Sequence, residues 1–200
     1  MATREYARRA RAISAEHGLS FWLAGGKVLS GWALAAEEMI DGGLMRLRQG
    51  VADWRATGSV TYETYYLGLL AEVLARQRQF DEALRVLEES LALVERIGER
   101  LYEAELYRIR GETLLAAAGG PKPDTDQRAA EDFGKARDIA RKQGVRSLEL
   151  RAAVSLARLE TRLGDAQAAR RRIADLYGTF TEGLHTPDLK EAKALLDQVG

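Results

Sequence analysis

Two segments near the middle of the chain decide the fold: LGLLAEVL at residues 67–74 and FDEALRVLEES at residues 80–90. Their apolar residues recur three or four positions apart, which is the spacing of one face of an α-helix. Each segment also has a small residue, Ala71 or Ala83, at a position where two paired helices can approach closely. The segments therefore predict two packed helices joined by a short turn.

The same arrangement recurs along the chain with a period of 40 residues. Small residues of the first helix are separated by 40, 40 and 46 positions, those of the second helix by 40, 46 and 40, and candidate helix-ending glycines by 40, 40, 46 and 39. These sets are Gly31, Ala71, Gly111 and Ala157; Gly43, Ala83, Ala129 and Ala169; and Gly18, Gly58, Gly98, Gly144 and Gly183.

A six-residue insertion at 119–124, rich in Gly and Pro, accounts for all three spacings of 46 and predicts an exposed loop. Such a period is typical of repeat proteins, so we predict an all-α fold, an α-solenoid of antiparallel helix pairs with about ten helices. We expect a single domain over residues 1–200. Its predicted parts are a half repeat at 1–18, repeats at about 19–58, 59–98, 99–144 and 145–184, and a capping helix at 186–198.

The two ends of the chain fit this scheme differently. The period projected backward places Thr3, Ala7 and Ala10 at second-helix positions, so we expect the chain to begin in mid-repeat. At the other end, Thr186 followed by Pro187 is a typical helix start, with the threonine as N-cap. This last helix occupies a first-helix place, and we expect it to cap the stack.

The repeat resembles the tetratricopeptide repeat (TPR), in which large and small residues alternate on the first helix and an alanine precedes a large residue on the second. The period of 40 residues exceeds the usual 34 of that family, so the helices or turns must be longer.

Several stretches also resemble the C-terminal TPR region of bacterial multidomain regulators. Those proteins join a class III adenylate/guanylate cyclase, or a DNA-binding domain, to an ATPase module. The resemblance implies a sensory or interaction role, with nucleotide chemistry in other domains. The stretches lie at residues 31–35, 54–58, 102–106, 147–153 and 186–192.

The TPR resemblance implies that first-helix positions two, five, nine, twelve and thirteen face a concave groove. We expect Val28, Ala35 and Val154 there, together with Glu105 and a set of aromatic, acidic and basic residues. The groove would change from aromatic to arginine-rich along the chain, which suits a peptide with an apolar end and an acidic end. Simple solvation of the arginines is an equally open interpretation. The predicted set is Trp32, Tyr65, Glu72, Arg76, Arg108, Glu112, Arg151, Arg158 and Arg162.

Composition excludes several other classes of function. Thirty basic residues balance thirty acidic ones, which disfavours nucleic acid and anionic lipid as partners. The chain has no cysteine, and neither His17 nor His185 has ligands at metal-binding spacing, so we expect no metal and no cofactor. No apolar stretch is long enough for a signal peptide or a membrane span, so we expect a cytoplasmic protein.

No catalytic motif accompanies the repeats. Gly25-Gly26-Lys27 lacks the upstream glycine and the spacing of a phosphate-binding loop. We therefore expect a non-catalytic interaction or regulatory module that binds a peptide, a partner domain or a second copy of itself. The alternative is a ligand-sensing helical domain that encloses a small molecule near Trp32 and Tyr65.

Overall fold

The computed structural model describes residues 2–198, with the side chains of residues 3–198. Within that range the chain forms ten α-helices and no strand, which confirms the all-α prediction and the expected number of helices. The helices are α1 (Ala2–Glu16), α2 (Ser20–Ala36), α3 (Ile40–Ala56), α4 (Glu63–Arg76), α5 (Phe80–Ile97), α6 (Glu103–Ala118), α7 (Pro123–Gln143), α8 (Arg146–Arg162), α9 (Ala166–Tyr177) and α10 (Pro187–Gln198).

These helices form two compact units. The first unit ends at Glu99 and holds α1 to α5, and the second begins at Arg100 and holds α6 to α10. In the first unit α2 packs against α1, α3 and α4, and α5 packs against α4. In the second unit α8 packs against α6, α7, α9 and α10. We call α2, α4, α6 and α8 first helices, and α3, α5, α7 and α9 second helices, because each first helix packs against the second helix that follows it.

The pair formed by α2 and α3 crosses backbone against backbone. A Cβ atom at Gly31 would lie 2.7 Å from the amide nitrogen of Leu47 and 2.8 Å from the carbonyl oxygen of Gly43. A Cβ atom at Gly43 would lie 2.6 Å from the amide nitrogen of Ala35. Side-chain carbons do not approach backbone atoms this closely, so the crossing depends on glycine in both helices.

The other pairs use alanine at the equivalent positions, or a glycine that makes room for a ring. In α6, a Cβ atom at Gly111 would lie 2.5 Å from the ring of Phe133, which is itself fully buried. The small residues from the 40-residue period thus lie in the packed interfaces. Those that are fully buried are Ala71, Ala83, Ala129, Ala157 and Ala169.

An aromatic cluster holds the first unit together. The buried ring of Trp54 on α3 lies 4.2 Å from Phe21 on α2 and 4.8 Å from Tyr66 on α4, measured between ring centroids. The Trp54 and Tyr66 rings are nearly perpendicular, at 85°, which is a favourable edge-to-face arrangement. The cluster therefore joins three helices of two consecutive repeats.

Ion pairs join the end of one repeat to the start of the next in both units. Arg55 donates from Nε to Glu63 at 2.7 Å, and Arg141 donates from Nε to Glu149 at 2.9 Å. In both cases the arginine is near the end of a second helix, and the glutamate is eight residues later, in the first turn of a first helix. Both carboxylates are largely buried, so they depend on these partners for the hydrogen bonds that water would otherwise supply.

Two of the predicted helix-ending glycines cap their helices directly. Gly98 ends α5 with φ of 73°, and Gly144 ends α7 with φ of 72°. This left-handed backbone conformation favours glycine, because a Cβ atom would crowd the following carbonyl group.

The same prediction was wrong at Gly183. The helix before it, α9, already ends at Tyr177, six residues earlier. There the Thr179 hydroxyl donates to the Leu176 carbonyl at 2.7 Å and so takes up an acceptor of the last turn. Gly183 lies instead in the connection to α10, with φ of 69°.

The inserted segment forms a shorter loop than its composition suggests. Gly119 ends α6 in the left-handed conformation, and only residues 119–122 connect the two helices. Pro123 and Asp124 already belong to the first turn of α7, where the fixed φ of proline and its missing N–H carry no cost.

The last helix closes the core of the second unit. Leu189, Ala192 and Leu195 of α10 are buried in the same cluster as Leu150 and Ile173, which belong to α8 and α9. The described residues contain no helix that is long and apolar enough to cross a membrane.

Alanine at Gly43 is expected to lower the free energy of unfolding by about 1–3 kcal/mol, the usual range for overpacking a filled core. The new methyl group would meet backbone atoms of Gly31 and Ala35, which cannot move aside as the end of a flexible side chain could. Gly42 is the matched control, because a Cβ atom there has nothing within 4 Å, and alanine should stabilise the helix by up to about 1 kcal/mol. Urea unfolding compares the two variants, and equal stabilities would contradict the close crossing.

Candidate protein-binding face

In the second unit α8 lies between α6 and α10, and charged side chains bond across the helix boundaries. Arg151 on α8 donates from Nη1 to Glu105 of α6 at 3.2 Å and from Nε to Asp188 of α10 at 2.9 Å. A single guanidinium group therefore joins three helices. We call the surface that carries these groups the first-helix face of the second unit.

Glu105 is the buried centre of this network. It is 3% exposed, and burial by itself raises its pKa. Arg108 donates to both carboxylate oxygens, at 2.9 and 2.8 Å. Together with Arg151, it outweighs the effect of burial and holds the pKa of Glu105 below its ordinary value. The carboxylate is therefore ionised at neutral pH and fixed by two guanidinium groups.

Two further contacts extend the network along the same helices. The Ser155 hydroxyl on α8 donates to Glu112 of α6 at 2.6 Å. Arg158 on α8 pairs with Glu191 of α10 at 2.5 Å. Glu112, Arg158 and Glu191 keep about half of their side chains accessible to solvent, so this part of the surface is open to a partner.

The structure supplies a carboxylate partner for each predicted arginine of this unit. Arg162 pairs with the buried Asp126 of α7, in addition to the pairs already described for Arg108, Arg151 and Arg158. The surface is therefore a row of alternating charges and not a row of free guanidinium groups. Each of these arginines is held by a carboxylate of the protein itself.

In the first unit the predicted residues form a smaller network. Trp32 donates from Nε1 to Glu72 at 2.9 Å, and Arg76 donates to the other oxygen of Glu72 at 2.8 Å. Trp32 and Glu72 are 40 residues apart and so occupy the same position in consecutive repeats. Tyr65 is half-buried, with its ring centroid 5.5 Å from that of Tyr66.

The expectation that Val28, Ala35 and Val154 face a groove was wrong. Val154 is buried in the core of the second unit. Val28 and Ala35 belong to the first unit. Both residues are buried, and they face α3 instead. Val28 lies against Gly50, and Ala35 lies against Gly43. A Cβ atom at either glycine would clash with the residue opposite. The close crossing of this pair turns these positions toward the second helix.

The other candidate motifs are not sites of chemistry in the structure. Gly25, Gly26 and Lys27 lie inside α2, and Lys27 pairs with Asp53 of α3, so no phosphate-binding loop exists there. Among residues 2–198, no three His, Asp or Glu side chains are placed to hold a metal ion.

The sequence analysis missed three residues of the first-helix face: Ser155, Asp188 and Glu191. Glu191 is 40 residues after Arg151, so the repeat period projected onto α10 would have found it. Ser155 and Asp188 fall outside the expected groove positions, and only the packing of the helices shows that they belong to the face.

Comparisons with known proteins show the fold. No protein-family model matches the sequence, and no curated protein matches it. A solved structure described as a candidate kinesin light chain from Podosopora anserina, with nearly identical TPR-like repeats, is 18% identical, with a TM-score of 0.63 over 86% of this chain and 83% of that chain. A variant of that protein with one substitution gives 18% identity and a TM-score of 0.61 over 86% of this chain and 91% of the other. The chain therefore has a TPR-like repeat fold.

Glutamine at Glu105 is expected to lower the free energy of unfolding at pH 7 by roughly 3 kcal/mol, since it removes one partner of a buried pair. A carboxylate whose pKa is depressed in the folded state stabilises the protein above its unfolded pKa of about 4.5, and this contribution is lost as the pH falls through the folded pKa. The variant should therefore lose less stability than the parent between pH 5 and about pH 3. Thermal unfolding across this range measures both effects.

The control is Asp197→Asn, which removes an exposed pair with Lys193 on α10 and should change stability little. If Glu105→Gln behaves like this control at pH 7, the network does not fix α6, α8 and α10.

Proposed function

We propose that this chain is a non-catalytic module that binds a protein partner through its first-helix faces. The observation that carries the proposal is the row of alternating charges on α6, α8 and α10, held in place by hydrogen bonds and an ion pair between helices. Stacked helix pairs form extended binding surfaces, and side chains that are already ordered lose less conformational entropy when a partner binds.

Arg158 is the residue best placed to meet a partner. Its side chain is 52% exposed, and it pairs with Glu191 through Nη2. A guanidinium group has five N–H donors, so others remain for a carboxylate of the partner. Glu112 and Glu191 can accept hydrogen bonds from backbone or basic groups beside it. We therefore propose a peptide or domain with an acidic segment flanked by donors as the partner.

The first unit offers a separate surface formed by Trp32, Tyr65, Glu72 and Arg76. The indole N–H of Trp32 is already donated to Glu72, and both aromatic rings pack against the core of the unit. These contacts favour a role in packing and in protein contact over the enclosure of a small molecule.

We further propose a regulatory role in the bacterial cytoplasm. The stretches that resemble the repeat regions of multidomain regulators support this role, with cyclase, DNA-binding or ATPase activity carried by other domains. A second copy of this chain is the alternative occupant of the first-helix face, and identification of the bound protein distinguishes the two.

A photoreactive amino acid at position 158 is expected to crosslink the partner in cells, because this position is exposed on the first-helix face. Position 128, exposed on the second helix α7, is the matched control and should give no such crosslink. Mass spectrometry identifies the captured protein. Equal capture at both positions would contradict binding through the first-helix face.

With the partner identified, Arg158→Ala should weaken binding about tenfold, equivalent to about 1.4 kcal/mol, and Arg128→Ala should leave it unchanged. Titration calorimetry with the two folded variants measures the difference. Arg162 is a poorer probe, because its loss would leave the buried Asp126 without its partner. Unchanged affinity in folded Arg158→Ala would show that the proposed residue does not bind the partner.

A further inference from the structure

A second polar surface lies on the opposite side of α8. Helices α7, α8 and α9 surround a cleft of about 560 Å³, which is within the usual range for small-ligand pockets. Glu149 and Ala153 form its side of α8. They point away from Arg151 and Arg158, because residues two and five positions apart on a helix face nearly opposite directions. The cleft is therefore separate from the first-helix face.

Arginines dominate the cleft. Four of them line it, against the two carboxylates of Glu149 and Asp175. Arg137 is bonded through Nε and Nη2 to its neighbour Asp138, and Arg172 of α9 is bonded through the same two atoms to Glu160 of α8. Their charges are balanced by these carboxylates, and few of their donors are left for a ligand. The four arginines are Arg137, Arg141, Arg146 and Arg172.

Arg146 is positioned without a carboxylate. Its Nη1 donates to the Thr179 hydroxyl oxygen at 2.9 Å, and among the described residues it has no ion pair. Thr179 in turn donates its own proton to the Leu176 carbonyl at 2.7 Å, so its oxygen is free to accept from Arg146. The guanidinium group is thus held in place, and most of its N–H donors remain available.

Arg141 stands across the Gly144 turn from Arg146. It bonds Glu149 through Nε, and its side chain is 64% exposed, so both of its Nη groups can reach a ligand. Two guanidinium groups with free donors therefore line the cleft. This arrangement suits an anion with several oxygens, because each fork can bond two of them.

We propose that this cleft binds a phosphate monoester, with Arg141 and Arg146 donating to the phosphate oxygens. A phosphate monoester has three terminal oxygens and close to two negative charges at neutral pH, which matches the unused donors. Asp175, which also lines the cleft and has no ion pair among the described residues, opposes the anion. The phosphate can belong to a small molecule or to a phosphorylated side chain of a protein.

Titration calorimetry of the full chain with inorganic phosphate tests the proposal. Arg146→Ala should weaken binding at least tenfold, and Asp175→Asn should strengthen it severalfold, because one removes a donor and the other removes a repelling charge. Arg146 is exposed and has no carboxylate partner among the described residues, so its loss should leave the fold intact, which circular dichroism checks. Arg158→Ala, on the other side of α8, is the control and should bind phosphate as the parent does.

Two further titrations identify the source of the phosphate. Adenosine monophosphate represents a small molecule, and a phosphoserine pentapeptide represents a modified protein. The probe that binds more tightly shows which of the two carries the phosphate. If none of the three probes binds at 10 mM, the proposal is overturned. A dissociation constant of 10 mM corresponds to a binding free energy of about 3 kcal/mol. Unchanged phosphate binding in folded Arg146→Ala overturns it as well.

Discussion

The close contact of small residues between the two helices of a pair is the constraint on which the rest of the structure depends. At Gly31 and Gly43 the backbones touch, and no side chain fits between them. This contact fixes the rotation of each helix about its axis. It therefore decides which residues are buried, as Val28 is, and which face outward. Large residues such as Trp54 and Phe133 then fill the space that the small ones leave.

The two units are held by different interactions on this common plan. The first unit relies on packed aromatic rings around Trp54. The second buries several carboxylates, each paired with an arginine. A buried ion pair adds less stability than packed hydrocarbon side chains do. Separating the two partners would leave a buried charge unpaired, which is strongly destabilising. Such pairs therefore favour the one packing of the helices that keeps the partners together. The charged surfaces on both sides of α8 are therefore ordered before any ligand arrives. The buried carboxylates are Glu103, Glu105, Asp126, Asp132 and Glu149.

The sequence predicts the fold well because the repeat period records the crossings directly. The contact between Trp32 and Glu72, which share one position in consecutive repeats, comes from the structure. The sequence does not predict the charge of the surface: the partner of Arg151 on α10 is Asp188, which lies outside the expected positions. The cleft around Arg146 is also invisible in the sequence, because three helices and a turn contribute to it. The spacing of residues along one helix does not show which residues of three different helices line the same cleft.

Hydrogen–deuterium exchange of the full chain is the most direct measurement of binding through the first-helix face. It is measured with and without the partner that crosslinking identifies. The partner should slow exchange of the amides of α8 around residues 151–162 and of the start of α10, because contact with their side chains stabilises these helices against local opening. The amides of α7 and α9 should change little. Protection confined to α7 and α9 would contradict binding through the first-helix face.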